Sequence, residues 1–176
     1  MNLPNTLTLF RIILVPVFLW YVMEHNHQVA FWLFVVAGVT DGVDGFIARR
    51  FNQMTALGAI LDPLADKVLI ISGFLVLGML EYLPYWLVLL IVGRELVVFT
   101  GALAIRVIDP DSSLKPTGIG KLNTLLQISL LAVVLGSSIV TLPGWLVSVL
   151  IIMVVCTTIL SGLIYLWRWG SNSFLI

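Results

Sequence analysis

The chain has 176 residues, 60% of them hydrophobic and 10% charged, with nine basic and nine acidic side chains and a formal net charge of zero. Mean hydropathy is +1.12. A soluble globule carries roughly 25% charged residues, so this composition excludes a water-soluble domain, a disordered chain and, with no basic run, a nucleic-acid binder. With one cysteine, Cys156, it also excludes a disulfide scaffold.

What remains is an all-α integral membrane protein, and about 20 apolar residues per span leave room for about six transmembrane helices in a single domain, residues 1–176. In chain order, helix 1 is expected over Asn5–Met23, with Pro4 before it and Asn5 as its N-cap. The polar turn Glu24-His25-Asn26-His27 leads to helix 2 over Gln28–Arg50 and, after a short loop, helix 3 over Thr55–Leu80. Glu81-Tyr82-Leu83-Pro84 then leads to helix 4 over Tyr85–Arg106. The segment Asp109–Thr117 is the longest loop, followed by helix 5 over Gly118–Val140, the turn Thr141-Leu142-Pro143-Gly144 and helix 6 over Trp145–Trp169. Helix 1 lacks a basic leader and a small-residue cleavage site, so it reads as a retained span. Trp32, Tyr82, Tyr85, Trp86, Trp145, Trp167 and Trp169 fall near helix ends, as interfacial anchors do.

Basic residues set the orientation. Arg49 and Arg50 flank the 2–3 loop, Arg106, Lys115 and Lys121 flank the 4–5 loop, and the other three turns carry no Lys or Arg. The positive-inside rule then places both termini and these two loops in the cytoplasm, in a chain of bacterial style held in the cytoplasmic membrane.

Four of the nine acids, Asp41, Asp44, Asp62 and Asp66, fall within 26 positions. A charge at the bilayer centre costs roughly 2.5–3.5 kcal/mol on insertion scales, so the clustering needs a cause. Asp41 and Asp44 are i and i+3 on helix 2, with Gly45 and Ala48 on the same stripe, and Asp62 and Asp66 are i and i+4 on helix 3, with Gly58 one turn earlier. Packed antiparallel across the short loop, the two helices bring all four carboxylates to the cytoplasmic end. Four carboxylates do not stay ionised together without positive charge between them, and oxygen-only donors suit Mg²⁺ or Mn²⁺. Mg²⁺ held by carboxylates completes its shell with water and phosphates, so the substrate is expected to be a phosphate compound, with Arg49 placed to help neutralise it. The competing reading is a set of intramembrane acids serving a cation path, which has no need of the glycines and arginine at fixed offsets.

Asp41-Gly42-Val43-Asp44-Gly45-Phe46-Ile47-Ala48-Arg49, then eight residues, then Gly58 through Asp66 resembles the signature of the CDP-alcohol phosphatidyltransferases, D-x2-D-G-x2-A-R-x8-G-x3-D-x3-D, at all eight specified positions. The resemblance covers most of the chain, since that family's core is also six membrane helices with cytoplasmic termini. It implies attack by an acceptor hydroxyl on the β-phosphorus of CDP-diacylglycerol, with CMP leaving, assisted by two divalent ions. It also implies that Asp41, Asp44 and Asp62 are metal ligands, that Asp66 both reaches the metals and acts as general base, and that Gly45, Arg49 and Gly58 line the CDP site. Asn5, Thr8 and Arg11 resemble the family's first helix, which makes Asn5 a possible nucleotide contact besides a cap, while Arg11 is either a snorkelling charge or a partner of phosphate and acids. A homodimer in the lipid bilayer is implied as well.

The run Thr55–Lys67, with Ala56-Leu57 before Gly58, and the runs Leu114-Lys115-Pro116-Thr117 and Lys121-Leu122-Asn123-Thr124 look closest to the CMP-forming cardiolipin synthases. Glu95 after Arg94 departs toward the type that uses glycerol 3-phosphate. Either acceptor bears a phosphate on a glycerol unit, and Arg94, Lys115 and Lys121 are the expected contacts for it. Glu95 is expected to point away from Arg94, because neighbours in sequence do not share a helix face.

Overall fold

The computed structural model describes residues 3–50, 58–108 and 117–172, which form six α-helices. These are α1 (Leu3–Met23), α2 (His27–Arg50), α3 (Gly58–Met79), α4 (Tyr85–Ile108), α5 (Gly118–Gly136) and α6 (Gly144–Asn172). Among the described residues, stretches of α4, α5 and α6 are long and apolar enough to cross a membrane: Tyr85–Ala102, Gly118–Gly136 and Gly144–Trp167. Among the described side chains, α1, α2 and α3 carry the apolar stretches Leu9–Met23, His27–Thr40 and Lys67–Met79. Only 17% of the α6 stretch is buried, and Trp20, Met79, Leu125, Ile152 and Trp167 are exposed. Such apolar faces suit a lipid surround, and Trp32, Tyr85, Trp86, Trp145 and Trp167 are exposed near helix ends, as interfacial anchors would be.

Helix ends differ from the sequence expectation for local reasons. α1 begins at Leu3, so Asn5 lies inside it rather than capping it; Pro4 fits a first turn, where its missing N–H is not needed. α5 stops at Gly136 rather than Val140, because Ser137 and Ser138 turn their hydroxyls back onto the carbonyls of Val134 (2.7 Å) and Leu135 (2.8 Å).

The chain divides into two compact units, Met1–Leu83 with Leu131–Leu142, and Pro84–Leu130 with Pro143–Ile176. In the first, α1 packs against both α2 and α3. Its core includes Val15, Phe18, Val22, Ala30, Phe34, Phe74 and Leu77, and Phe18 and Phe34 meet with ring centroids 6.0 Å apart. Gly73 lets the Leu131 and Phe18 side chains approach within 3.5 Å of its Cβ position.

α1 and α3 end alike. The N–H of Asn26 donates to the carbonyl of Tyr21 (3.0 Å) and that of His25 to Val22 (3.1 Å); the N–H of Tyr82 donates to Leu77 (2.9 Å) and that of Glu81 to Gly78 (3.1 Å). Both are Schellman closures, whose pivot residue is ordinarily glycine. Here the pivots are His25 (φ 56°) and Glu81 (φ 63°). The left-handed conformation costs a residue with a Cβ roughly 1–2 kcal/mol, partly offset because glycine has more freedom to lose on folding. The exposed Glu81 has nothing on the described surface that repays this. Glu81→Gly is therefore expected to stabilise the protein by up to about 1 kcal/mol, read as a raised melting temperature in detergent. A fall in melting temperature would mean that the Glu81 side chain has a role of its own.

At this end the two turns are clasped together. The Tyr82 hydroxyl lies 2.8 Å from His27 Nε2 and 3.2 Å from His25 Nδ1. Asn26 Oδ1 accepts from the Val29 N–H at 3.3 Å and caps α2.

Candidate active site

The clasp sets the register of the three helices of the first unit. Along ideal helices, counted from the clasped end, Arg11 lies about 18 Å down α1, and Asp41 and Asp44 about 21 Å and about 26 Å down α2. On α3, Asp66 lies about 20 Å and Asp62 about 26 Å from the same end. The four motif acids therefore pair by level, Asp41 with Asp66 and Asp44 with Asp62. Gly45 is on α2 beside Asp44, Arg49 is one turn further, and Gly58 opens α3. For Asn5, Asp41, Asp44, Gly45, Arg49, Gly58, Asp62 and Asp66 only the helical backbone is described, and their side chains lie outside the described part of the structure.

Arg11 is fully buried. That removes the snorkelling reading, since a snorkelling head group reaches water. A buried guanidinium demands anionic or hydrogen-bonding partners, and Arg11 lies at the level of Asp41 and Asp66 on α1, which packs against both α2 and α3. Sequence reasoning offered Arg11 as a partner of phosphate and acids beside the snorkelling alternative; the packing of α1 against both α2 and α3 is what it did not supply.

A second polar cluster lies in the other unit, where α4 packs against α6. Arg94 Nη1 donates to Glu95 Oε1 at 2.5 Å, and its Nε donates to Ser161 Oγ at 2.9 Å. Its guanidinium carbon stands 5.8 Å from the centre of the Tyr165 ring. The pairing with Glu95 corrects the expectation that the two side chains diverge. Neighbouring positions differ by about 100° around a helix, but both side chains are long and both are buried, where an ion pair gains more than in water.

Arg94 Nη2 faces the start of α5. A Cβ built at Gly120 would meet Thr117 Oγ1 at 3.0 Å, Arg94 Nη2 at 3.4 Å and Tyr165 Oη at 3.6 Å. Thr117 caps α5, its Oγ1 accepting from the Gly120 N–H at 3.1 Å. A helix N-terminus, a glycine that leaves space and a guanidinium edge that no described residue occupies together suit an anion. Of the expected phosphate contacts, Arg94 is thus on α4 at this recess, Lys121 is exposed on the first turn of α5, and Lys115 lies outside the described residues. Thr117 was missed as a cap, although a threonine three residues before a helical N–H is a readable one.

One turn further along α5, buried Asn123 accepts through Oδ1 from the hydroxyls of Thr157 (2.9 Å) and Thr158 (2.8 Å) on α6. Those bonds tie α5 to α6 and hold the helix whose start forms the recess.

The family model for CDP-alcohol phosphatidyltransferase matches residues 1–163. The chain belongs to the CDP-alcohol phosphatidyltransferase family. Members of this family are transferases of phospholipid biosynthesis, and this chain is one of them. It is 39% identical to a probable phosphatidylglycerophosphate synthase of Mycobacterium tuberculosis, over 95% of this chain and 81% of that one. It is also 39% identical to the CDP-diacylglycerol–glycerol-3-phosphate 3-phosphatidyltransferase of Escherichia coli (strain K12), over 74% of this chain and 75% of that one. A CMP-forming cardiolipin synthase of Rattus norvegicus is 37% identical over 78% of this chain and 51% of its own length. Relatives of both acceptor types thus match this CDP-alcohol phosphatidyltransferase.

Proposed function

We propose that this CDP-alcohol phosphatidyltransferase uses phosphatidylglycerol as acceptor and makes cardiolipin and CMP. The observation that carries the chemistry is the complete eight-position pattern on α2 and α3, levelled by the clasp at their far end. The choice of acceptor rests on Ala56-Leu57 before Gly58 and on the Lys115-Pro116-Thr117 and Lys121-Leu122-Asn123-Thr124 runs. In this reading the headgroup hydroxyl oxygen of the acceptor bonds to the β-phosphorus of CDP-diacylglycerol. The bond from that phosphorus to the bridging oxygen breaks, CMP departs with the oxygen, and Asp66 takes the hydroxyl proton. Asn5, Gly45, Arg49 and Gly58 bind the CDP group. Arg94, with its lower edge fixed by Glu95 and Ser161, holds the acceptor phosphate together with Lys121 and Lys115. Arg11 holds the motif carboxylates in place from α1.

The donor set fits a hard divalent cation, because all four motif side chains are carboxylates and the segment from Asp41 to Asp66 contains no histidine or cysteine. Asp41, Asp44, Asp62 and Asp66 would hold Mg²⁺ or Mn²⁺, in two sites. Bound there, the ions would supply charge stabilisation to the diphosphate and the leaving phosphate. Six spans, cytoplasmic termini, a site facing the cytoplasm of a bacterial cell, a single functional domain over residues 1–176 and a homodimer complete the proposal.

Glycerol 3-phosphate is the second reading of the acceptor, favoured by the identity and fuller coverage of the Mycobacterium tuberculosis and Escherichia coli relatives. The two are separated by presenting purified protein and CDP-diacylglycerol with both acceptors and weighing the product. Cardiolipin is the expected product; phosphatidylglycerophosphate alone would replace the first reading with the second.

A further inference from the structure

The clasp gathers three side chains that can serve as metal ligands, His25, His27 and Tyr82, around one oxygen. His25 Nδ1 and His27 Nε2, from opposite sides of the α1–α2 turn, converge on one phenol oxygen at 3.2 Å and 2.8 Å. Ligands bound at roughly 2.0–2.1 Å in a tetrahedral shell stand about 3.3 Å from one another. Each imidazole nitrogen therefore stands from the phenol oxygen at a distance that two ligands of one metal ion can have. The rings are set edge to face, with centroids 6.0 Å apart. Tyr82 and His25 are exposed and His27 is half-buried, so an ion has access from water. His25 keeps a left-handed backbone at a pivot where glycine would be cheaper, and that backbone presents its ring to Tyr82. No third histidine, cysteine or carboxylate among the described residues joins the group, so the third donor is the phenol.

We propose that His25, His27 and Tyr82 form a binding site for a divalent transition metal of the Cu²⁺ or Zn²⁺ class, separate from the carboxylate motif and at the opposite end of the same unit. Imidazole and phenolate donors select such ions over Mg²⁺, which prefers the oxygen-only motif. Both rings enter as neutral imidazoles. Tyr82 enters through its oxygen and releases its proton to solvent, and water fills the open positions. Binding would staple the α1–α2 turn to the α3–α4 turn and stabilise the fold in proportion to metal concentration.

The test is a Cu²⁺ titration of the purified full-length protein in detergent with Mg²⁺ in excess, followed by electron paramagnetic resonance. Superhyperfine splitting from two imidazole nitrogens is expected at one equivalent. His27→Ala and His25→Ala are each expected to weaken binding by at least about tenfold, and Tyr82→Phe should abolish a phenolate-to-copper absorption band. A parallel Zn²⁺ titration should raise the melting temperature of the parent and not of the His25→Ala/His27→Ala double variant. Retention of Mg²⁺-dependent CMP release in that double variant shows that it folds. A copper spectrum without imidazole coupling, or equal copper affinity in the parent and the double variant, would overturn the proposal.

Discussion

Asp66→Asn is expected to reduce CMP release by about 10²–10⁴-fold, with the protein still folded and CDP-diacylglycerol still bound. Asparagine keeps the size of the side chain and one oxygen but cannot take a proton. It also removes one negative charge from a set of four, which weakens the hold on the cations. The two effects separate experimentally. Loss of the base leaves a defect that saturating Mn²⁺ does not repair, whereas loss of a ligand alone is repaired by raising the metal concentration. Because Asp66 shares its level with Asp41 and Arg11, Asp66→Asn should change the melting temperature little compared with Arg11→Ala, which would strip the buried cation from the same layer. Turnover of Asp66→Asn within threefold of the parent would show that another group takes the proton.

The second large effect is expected at the Arg94–Glu95 pair. Both residues are buried, and Arg94 Nη1 and Glu95 Oε1 are 2.5 Å apart. Removing one partner of a buried pair leaves the other charge uncompensated, at a cost of roughly 3–5 kcal/mol. Glu95→Gln is therefore expected to lower the melting temperature sharply. Arg94→Lys keeps the charge but loses the planar fork that reaches Glu95, Ser161 and the α5 recess together. With a hydrogen bond to a charged group worth about 1.5–3 kcal/mol, Arg94→Lys should raise the KM for the acceptor by roughly 10–150-fold. The KM for CDP-diacylglycerol should hardly change. Equal effects on both substrates would assign Arg94 to the scaffold and not to the acceptor.

Much of this was legible in the sequence, for physical reasons. Six apolar stretches separated by polar turns gave six helices, because a helix in lipid must satisfy its backbone internally and cannot be interrupted. The turns at Glu24–His27, Glu81–Pro84 and Thr141–Gly144 were marked by charge or proline. The acids stood out since charge is so costly among apolar residues. The misses were of another kind. The end of α5 depends on two serine side chains folding back, which hydropathy does not register. The pairing of Arg94 with Glu95 depends on side-chain length and on shared burial, which the face rule for short side chains overlooks. The clasp joins residues 55 and 57 positions apart, and no local pattern links them. The short 2–3 loop already levelled the acids of α2 and α3 in the sequence, and the tied turns add the level of Arg11 on α1.

Phosphatidyl transfer at the α2–α3 acids is tested by measuring CMP released from CDP-diacylglycerol by the purified protein with acceptor and Mn²⁺ or Mg²⁺. The expected result is one CMP for each new phospholipid, none after chelation of the metal, and almost none from Asp66→Asn. CMP release that persists without divalent metal would contradict the claim, as would cation flux through liposomes lacking any CDP lipid in the absence of CMP release.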